Sequence, residues 1–576
     1  MRTAPLLSAL LPMMLACDRE GPPGPPSGGT APAVPESDDA PVRALYLCGN
    51  RFVLINAQPF PLQVTWRIQG TDELGDVVLA AAPDGDPGFS EIEVAARHQG
   101  PLELYRGDQL VALRDNEGIG CEPTIGPSLV LASTASAGSW TAPFSWPIVA
   151  VHLHLLRTGK VLAWGKFGDP YVYDPSNGSF KAVPAGANVF CSGHAFLPDG
   201  RLFVAGGHIS DNHGLPDGHL FNPGTLAWSK TADMRTGRWY PSSTTLANGS
   251  IVTIAGKDED ATQARVPEIW STGGGWRALT GATLTLPYYP RQFLAPNGKL
   301  FVAGESRTSR YLNTSGSGSW TTVGDRRYGL RDYGAAVMYL PGKVLYAGGG
   351  RTTATAETID LNQAAPVWKW TGSMAYPRRH LNATVLPTGE VLVTGGTRGT
   401  SFDEPSLGVH VAEIWNPSTG TWRQVASNSV NRSYHSTSLL MPDGRVLHAG
   451  SGNATMTSGQ PAPDQKNAEY YSPPYLFQGA RPSISSAANP IGYGTSFTVG
   501  TPNASSIAKV SLIALGSVTH AFDMGQRFMW LTFSKTSSGL TVKAPTSRNA
   551  APPGYYMLFI LSSTGVPSKA RIIRLR

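Results

Sequence analysis

The chain has 576 residues, enough for several domains with large buried cores. Only 15% of the residues are charged, and the 65 glycines and 47 prolines favour an all-β protein with many tight turns over a helical one. The net charge of +6 is small for this length and the basic residues are scattered, which argues against a nucleic-acid partner. Beyond the N-terminus no stretch reaches the ~18 uninterrupted apolar residues of a membrane span, so none is expected.

The N-terminus has the composition of an export signal followed by a tether. Arg2 precedes an apolar run from Ala4 to Ala16. The residues up to Cys17 resemble a bacterial lipoprotein signal, which predicts a signal over residues 1–17, lipidation of Cys17 and attachment at the surface of a bacterial envelope. Ordinary cleavage near Ala16, which would release a secreted protein, is the alternative. Residues 18–41 are rich in Gly, Pro and acidic side chains and are predicted to be a disordered tether.

Residues 42–123 are predicted to form a small β-sandwich of immunoglobulin type with a binding or spacer role. Five short β-type runs are separated by turn clusters: Arg51 to Asn56, Leu62 to Ile68, Val77 to Ala81, Ile92 to Ala96 and Gln109 to Leu113. Cys48 and Cys121 bracket this segment, and in an exported protein they suggest one disulfide. Cys191 is then left without a partner, which calls for a chemical explanation.

A pattern of two apolar strands joined by a glycine-bearing turn occurs seven times in residues 146–479. The turn glycines are Gly159, Gly200, Gly249, Gly298, Gly342, Gly389 and Gly444, about 47 residues apart on average. This period, with four strands per repeat, predicts a seven-bladed propeller of the kelch type. Four of the turns are Asp-Gly or Asn-Gly pairs, which predict type I′ hairpins with positive φ at both residues.

Two further expectations concern the packing and the end of the array. An aromatic residue late in most repeats, such as Trp228, Trp276 or Trp422, is expected to pack between neighbouring blades. Residues 480–576 lack the repeat and show alternating strands, so a second β-sandwich is expected there.

One position of the repeat collects chemically active side chains. We call this position, eight or nine places before each turn glycine, the ring position. Its residues are Ala150, Cys191, Tyr240, Tyr289, Gly334, His380 and His435. In a closed ring of repeats, equivalent positions meet around one axis, so phenols and imidazoles of different blades would converge there. Such nitrogen and oxygen donors suit Cu(II). Packing or a simple hydrogen bond is the alternative for each of these residues taken singly.

Four segments carry a family resemblance. They are Asn188-Val189-Phe190-Cys191, Gly237-Arg238-Trp239-Tyr240-Pro241, Ser433-Tyr434-His435-Ser436 and Val518-Thr519-His520. In this order and spacing they resemble the galactose oxidase and glyoxal oxidase family of copper radical oxidases, over residues 146–576. The Arg-Trp-Tyr-Pro form and the N-terminal sandwich are more similar to glyoxal oxidases and their bacterial relatives than to galactose oxidase.

The resemblance implies a centre with one copper ion and a protein-derived radical. Tyr240 would be a copper ligand joined by a thioether to Cys191, and this linked pair would carry the radical. Tyr434 would be the axial ligand and the base that takes the substrate proton, while His435 and His520 would be the two imidazole ligands. The implied reaction is the two-electron oxidation of small aldehydes, as hydrates, or of primary alcohols, with reduction of dioxygen to hydrogen peroxide.

Substrate contacts and the cover of the radical ring are less well defined. Tyr289, Arg291, Tyr333 and His380 lie at or near the ring position and are candidates for substrate binding, with packing as the alternative. In galactose oxidases a tryptophan just beyond the turn of the same blade stacks on the linked tyrosine. The corresponding segment here, Ala255 to Glu259, has no tryptophan, which weakens the expectation of galactose as substrate.

The competing functional interpretation is a catalytically silent kelch propeller that binds carbohydrate or mediates adhesion. A cytosolic kelch scaffold conflicts with the export signal. For the oxidase we expect a monomer whose partners are a small alcohol or aldehyde and dioxygen, with membrane contact only through an N-terminal lipid anchor.

Overall fold

The computed structural model describes residues 42–48, 51–56, 62–68, 74–79, 88–93, 102–106, 109–114, 134–452 and 463–576. The expected signal, the tether, the lipidation of Cys17 and the disulfide between Cys48 and Cys121 lie outside the residues and side chains it describes. The chain divides into two compact units, Met1–Leu131 and Ala132–Arg576, which are described separately. In the described ranges the protein is nearly all-β, and no helix there is long and apolar enough to cross a membrane.

The described part of the first unit contains two antiparallel sheets. One has the strand order β1-β2-β5, and the other has the order β4-β3-β6-β7. The strands are β1 (Val42–Cys48), β2 (Arg51–Asn56), β3 (Leu62–Ile68), β4 (Leu74–Leu79), β5 (Gly88–Glu93), β6 (Leu102–Arg106) and β7 (Gln109–Arg114). Alternation along β3 buries Leu62 and Val64 while Gln63 faces solvent, and Leu54 of the other sheet joins the same small core.

The second unit begins with a short helix and two short strands: α1 (Thr134–Ala137), β8 (Ser139–Trp140) and β9 (Phe144–Ser145). Seven antiparallel sheets then follow one another through the described residues up to 472. The first sheet consists of β10 (His152–Leu155), β11 (Val161–Trp164), β12 (Tyr171–Asp174) and β13 (Ser179–Ala182), and the second of β14 (Gly193–Phe196), β15 (Leu202–Ala205), β18 (Gly218–Asn222) and β19 (Ala227–Lys230). The third sheet consists of β20 (Ser242–Thr245), β21 (Ile251–Ile254), β22 (Glu268–Ser271) and β23 (Gly275–Ala278). The fourth sheet consists of β24 (Gln292–Leu294), β25 (Leu300–Val302), β26 (Thr308–Asn313) and β27 (Ser319–Asp325). A small hairpin, β16 (His208–Ser210) with β17 (His213–Gly214), lies between β15 and β18.

The last three sheets continue the same pattern. They consist of β28 (Ala335–Leu340), β29 (Lys343–Ala347), β30 (Ala356–Asp360) and β31 (Lys369–Thr371); β32 (Asn382–Val385), β33 (Val391–Thr394), β34 (Val411–Asn416) and β35 (Thr421–Ser427); and β36 (Ser436–Leu440), β37 (Val446–Gly450) and β38 (Asn467–Ser472) with β8. The outer strand of the seventh sheet therefore comes from the start of the unit, with Tyr471 opposite Trp140. The first strands of the first and seventh sheets, β10 and β36, are in contact.

The C-terminal region forms two more sheets, with strand orders β39-β40-β46-β45 and β44-β41-β47-β48. The strands are β39 (Ser486–Ala487), β40 (Ser496–Gly500), β41 (Ile507–Ala514), β44 (Phe528–Leu531), β45 (Phe533–Thr536), β46 (Gly539–Lys543), β47 (Gly554–Ser562) and β48 (Arg571–Leu575). Apolar side chains of both sheets, including Leu512 and Val542, share one core. Three short 3₁₀ helices complete the described elements: Pro405–Leu407, Pro474–Phe477 and Ala504–Ser506.

A hairpin from this region extends the first of the seven sheets. Strand β42 (Ser517–Thr519) pairs with β10, placing Thr519 opposite His152, and β43 (Phe522–Asp523) completes the hairpin. Its two-residue turn is formed by His520 and Ala521, whose φ angles are 44° and 64°. Positive φ at both central residues is the geometry of a type I′ turn. The hairpin thus holds His520 at its tip, beside the array of sheets.

The repeated turns differ from the predicted type I′ geometry. All seven turn glycines have positive φ, between 74° and 85°. The Asp or Asn that precedes four of these glycines does not have positive φ. In the turn at Gly200, the glycine N–H donates to the carbonyl of Leu197, and the Asp199 carboxylate accepts the N–H of Arg201 at 2.9 Å. The prediction was wrong because the Asp side chain forms this local hydrogen bond without leaving the right-handed region.

A buried ion pair recurs in four of the sheets, joining an Arg before the first strand to a Glu of the third strand. The pairs are Arg238–Glu268, Arg331–Glu357, Arg378–Glu413 and Arg432–Glu469, with N–O distances from 2.6 to 3.1 Å. In the sixth sheet Arg378 also donates to the carbonyl of Gly395, and Glu413 accepts the N–H of Ala375. Buried charges of this kind are tolerated because each is paired with an opposite charge and forms further hydrogen bonds with the backbone. They fix the chain two or three residues before the ring position.

Tryptophans of the fourth strands link neighbouring sheets, in agreement with the sequence expectation. The indole N–H of Trp228 donates to the carbonyl of Val183, which follows the preceding sheet, and Trp276 donates to Ala232 in the same way. Trp422 does so to Gly372. These side chains therefore act in packing.

Candidate metal centre

The ring position has a common backbone conformation. In six of the seven sheets a residue there has positive φ: Cys191 (62°), Tyr240 (66°), Tyr289 (42°), Tyr333 (52°), His380 (59°) and His435 (67°); Ala150 of the first sheet does not. In the fifth sheet Tyr333, and not the expected Gly334, has this conformation. Residues other than glycine seldom adopt positive φ, and they persist there only where the surroundings hold them. Strained backbone of this kind is concentrated at functional sites.

Two phenols and two imidazoles meet at this end of the sheets. The hydroxyl oxygens of Tyr240 and Tyr434 are 2.6 Å apart, and the Tyr240 oxygen is 2.9 Å from Nε2 of His520. The rings of His435 and His520 are nearly perpendicular, with centroids 4.7 Å apart. All four side chains are buried. The third sheet, the seventh sheet and the C-terminal hairpin therefore contribute to one cluster.

Hydrogen bonds at Nδ1 orient both imidazoles and leave each Nε2 unprotonated, with that of His520 facing the Tyr240 hydroxyl. Nδ1 of His435 donates to the carbonyl of Gly452 at 2.5 Å, and its Nε2 has no hydrogen-bond partner among the described residues. Nδ1 of His520 is 2.7 Å from the hydroxyl of Thr519, which itself donates to the carbonyl of Val151. The Thr519 oxygen must then accept from His520, leaving Nε2 unprotonated. Outer hydrogen bonds of this type are typical of metal-ligating histidines.

Burial keeps the four ionisable side chains of the cluster uncharged. Burial lowers the pKa of His435 to about 3 and that of His520 well below its ordinary value, so both rings are neutral. Burial also raises the pKa values of Tyr240 and Tyr434. A bound cation would reverse this for the phenols, since it stabilises phenolate. The two nitrogen and two oxygen donors fit a Cu(II) ion.

Cys191 is a buried free thiol beside this cluster. It belongs to the same apolar core as Tyr240, and its carbonyl accepts the N–H of Tyr240 at 2.8 Å. Burial raises the pKa of the thiol well above its ordinary value, while Tyr240 acts in the opposite direction. The sulfur is 3.9 Å from Nδ1 of His208. Cys191 therefore adjoins Tyr240, and both side chains are buried.

Trp239 covers the ring of Tyr240. The two rings are parallel within 4°, with centroids 3.8 Å apart. The indole N–H donates to Nδ1 of His208 at 3.2 Å, which fixes the plane of the ring. Trp239, the residue just before Tyr240 in sequence, is thus the ring that stacks on the tyrosine, although the segment after Gly256 has no tryptophan.

Two predicted substrate-contact residues lie deep in the structure. Tyr289 is buried, stacks on the His520 ring at 4.7 Å and donates its hydroxyl to the carbonyl of Ser192. The guanidinium of Arg291 is fully buried and donates to the carbonyls of Tyr289, Gly334 and His520. Both side chains support the turn that holds His520.

The other two predicted contacts border the open side of the cluster. Tyr333 and His380 have ring centroids 5.6 and 5.0 Å from that of Tyr434. Phe402, which sequence reasoning missed, is 4.8 Å from Tyr434 and is 41% exposed. The sequence signal was the long connection between β33 and β34, which carries this phenylalanine. Tyr333, His380 and Phe402 thus form an aromatic rim beside Tyr434, in which Phe402 is exposed.

Comparisons with known proteins agree with this geometry. The family model described as Glyoxal oxidase N-terminus matches residues 346–475, and the model described as Galactose oxidase-like, Early set domain matches residues 481–575. A galactose oxidase of Gibberella zeae is 30% identical over 489 residues, which cover 76% of this chain and 70% of the relative. The chain belongs to the galactose oxidase and glyoxal oxidase family of copper radical oxidases.

Further relatives of this copper radical oxidase include aldehyde and alcohol oxidases. The aldehyde oxidase GLOX of Vitis pseudoreticulata is 28% identical over 474 residues, covering 72% of this chain and 87% of that protein. A solved structure of a fungal alcohol oxidase of the AA5 family, in complex with copper, has a TM-score of 0.69 at 26% identity and covers 76% of this chain and 100% of that one. The protein is thus an oxidoreductase of alcohols or aldehydes, from a family that uses one copper ion and a Cys–Tyr thioether radical.

Proposed function

We propose that Tyr240, Tyr434, His435 and His520 hold the copper ion of this oxidase, and that a thioether between Cys191 and Tyr240 carries its radical. The single observation that carries the assignment is the meeting of two neutral imidazoles and two phenols in one buried cluster. Its phenol oxygens are 2.6 Å apart, Nε2 of His520 is 2.9 Å from the Tyr240 oxygen, and Nε2 of His435 has no partner among the described residues. Few buried clusters offer four neutral donors with both outer imidazole nitrogens already occupied.

When bound, the copper ion would supply a one-electron redox couple and a Lewis acid. The sulfur-substituted ring of Tyr240 provides the second oxidising equivalent, because a thioether makes a phenol easier to oxidise. Tyr434 takes the proton of the substrate hydroxyl, and the oxygen of Tyr240 takes a hydrogen atom from the adjacent carbon. Dioxygen accepts the two electrons and two protons and leaves as hydrogen peroxide.

The substrates we propose are small aldehydes, as their hydrates, and primary alcohols. Tyr333, His380 and Phe402 form an aromatic rim within 6 Å of the Tyr434 ring, measured between centroids. A rim of rings admits small apolar groups readily and offers few hydrogen bonds for a sugar. Of the four residues expected to contact substrate, Tyr333 and His380 keep this role in the proposal.

We further propose that the seven sheets close into a kelch-type propeller, residues 146–479, with immunoglobulin-like sandwiches at residues 42–123 and 480–576. The contact of β10 with β36 and the pairing of β38 with β8 support closure, because each joins the start of the array to its end. The proposal includes export of the chain, with either cleavage before Cys17 and lipidation of that residue or ordinary signal cleavage near Ala16 and release, and a monomeric enzyme.

Copper titration of the purified apoprotein, followed by a peroxide assay, tests the function. We expect one copper ion per chain and peroxide formation with glyoxal, methylglyoxal or simple primary alcohols. His435→Ala should lose copper binding. His219→Ala is the matched control, since His219 is also a buried histidine of the array but lies in the strand β18, outside the cluster. Copper binding that survives H435A, or wild-type protein that makes no peroxide with any of these substrates, would contradict the proposal.

A further inference from the structure

Three buried histidines beside the candidate copper centre have no part in the proposed reaction. His152 and His154 lie on β10 and His194 lies on β14, and all three are fully buried. Their nearest ring nitrogens lie within 4.8 Å of one another. Such a cluster is either a second metal site or a hydrogen-bonded network, and the directions of its hydrogen bonds decide between these.

The network begins at the backbone of Cys191. Its N–H donates to Nε2 of His152 at 3.3 Å. Because a backbone N–H can only donate, Nε2 is the acceptor and the neutral ring carries its proton on Nδ1. That proton faces Nε2 of His194 at 3.2 Å. His194 must then carry its own proton on Nδ1, which is 2.6 Å from the hydroxyl of Ser517.

Ser517 connects His194 to the third histidine, His154. Its hydroxyl accepts from His194 and donates to Nδ1 of His154, 2.9 Å away. Five of the six ring nitrogens are thus hydrogen-bonded, and only Nε2 of His154 has no partner among the described residues. Burial lowers the pKa of each ring, which agrees with three neutral imidazoles. A metal ion would need lone pairs that these hydrogen bonds already occupy.

The bond to Cys191 replaces a backbone contact that other ring positions make. The N–H of Tyr240 donates to the carbonyl of Cys191, that of Tyr289 to Tyr240, and that of His380 to Tyr333. These three ring residues are thus tied to the ring residue of the sheet before them, whereas the N–H of Tyr333 donates to the carboxylate of Glu305. At Cys191 the side chain of His152 takes the place of that carbonyl, and it holds a residue whose φ of 62° is unfavourable for an L-amino acid.

We propose that His152, held in one tautomer by His194, Ser517 and His154, is a positioning residue that fixes the backbone of Cys191 so that its sulfur meets the ring of Tyr240. This inference rests on the proposed cross-link. In that step the S–H bond of Cys191 and a ring C–H bond of Tyr240 break and an S–C bond forms. The two electrons and two protons reduce dioxygen to hydrogen peroxide.

The test is the rate of cross-linking after copper and dioxygen are added to the full-length apoprotein, followed by mass spectrometry of the linked peptide. His152→Leu removes the acceptor and should slow cross-linking by about tenfold or more. His152→Gln keeps an acceptor within reach and should restore a rate near wild type. Ser517→Ala breaks the network without touching Cys191 and should give an intermediate rate. Thermal unfolding of each variant shows whether it is folded.

His448→Leu is the matched control. His448 is equally buried, and its Nδ1 is also hydrogen-bonded, but to Ser438 and Thr437 of the seventh sheet. It should cross-link at the wild-type rate. Equal rates for folded H152L and wild type would overturn the inference, as would a second tightly bound metal ion that H154L loses. Wild type that never forms the link contradicts the proposed function as well, so the two failures are distinguishable.

Discussion

The hydroxyl oxygens of Tyr240 and Tyr434 lie 2.6 Å apart, although 194 positions separate the two residues in sequence. Tyr240 has positive φ before the first strand of the third sheet, and Tyr434 stands one residue before His435, which has the same conformation in the seventh sheet. The repeat therefore brings the two phenols together, and their different surroundings give them different roles. Tyr240 is covered by Trp239 and adjoins Cys191, whereas Tyr434 faces the aromatic rim.

Replacing Tyr434 by Phe should lower turnover strongly and remove one proposed copper ligand while copper stays bound. The variant lacks the group that takes the substrate proton, and general base catalysis of this kind is worth about 10²–10⁴-fold. We expect kcat to fall by that factor and copper to stay bound through the three remaining ligands. Peroxide assays and metal analysis measure the two effects. Tyr475→Phe, which removes a buried hydroxyl bonded to the carbonyl of Gly444, should leave kcat unchanged.

Replacing Trp239 by Leu should shorten the life of the radical without preventing its formation. The indole lies parallel to the Tyr240 ring at 3.8 Å, so in the proposed centre it would shield the radical from water. The decay of the radical, followed by electron paramagnetic resonance, is expected to be several-fold faster in W239L, and Trp239→Phe should lie between it and wild type. A radical that decays equally fast in all three proteins would show that the stacked ring has no protective role.

Removing either partner of the Arg378–Glu413 pair should destabilise the protein, because the other partner would remain as an unpaired buried charge. Both side chains are almost completely buried, with an N–O distance of 2.6 Å. Arg378→Met or Glu413→Leu alone should lower the free energy of unfolding by about 3–5 kcal/mol, and the double variant by much less than the sum. Denaturant unfolding measures all four proteins. Additive losses would mean that the two side chains act independently.

Glu305 should make stability fall as the pH rises. Burial raises the pKa of its carboxyl from 4.5 to about 7, against the opposing effect of Arg291. The folded state then binds the proton more tightly than the unfolded state, so its contribution is complete below pH 4.5 and is lost as the pH rises through 7. The full loss is about 3 kcal/mol.

Glu305→Gln should remove this pH dependence. Measured by denaturant unfolding at pH 4.5 and pH 8, the free energy of wild type should decrease relative to the variant. Arg291 keeps its hydrogen bonds to the carbonyls of Tyr289, Gly334 and His520 in either protein, so it remains anchored. If wild type and E305Q show parallel pH profiles, the carboxyl does not titrate in this range.

Phe402 should restrict the size of substrates. Its exposed ring stands 4.8 Å from that of Tyr434. Phe402→Ala should raise kcat/KM for branched or aromatic alcohols by about tenfold relative to small ones, because a pocket contact changes discrimination by this order. Phe477→Ala is the control, since Phe477 is comparably exposed, at 39%, but lies in the 3₁₀ helix Pro474–Phe477. If F402A has the same substrate selectivity as wild type, Phe402 does not limit the size of the substrates.

The repeat could be recognised from the sequence because its signals, the turn glycines, are local. Each turn needs a glycine with positive φ, so the spacing of the glycines reports the spacing of the sheets. The ring position could be counted from the same glycines, with an error of one residue at Tyr333. The buried Arg–Glu pairs also leave a trace, such as Arg378 two residues before His380, which sequence reasoning missed.

Contacts between distant segments were harder to infer. The family resemblance supplied His520, but no local pattern indicates that its hairpin pairs with β10. Trp239 was visible beside Tyr240, yet only the structure gives the parallel stacking, because adjacent residues of an extended chain normally point apart. The positive φ of Tyr240 reverses that rule. Phe402 lies in a long connection, whose path the sequence does not specify.

The most direct test of the copper radical centre is peptide mass spectrometry of the wild-type protein after loading with copper in air. The account predicts one peptide pair joined through Cys191 and Tyr240, two hydrogens lighter than the separate peptides. A free Cys191 thiol in fully copper-loaded protein would contradict it.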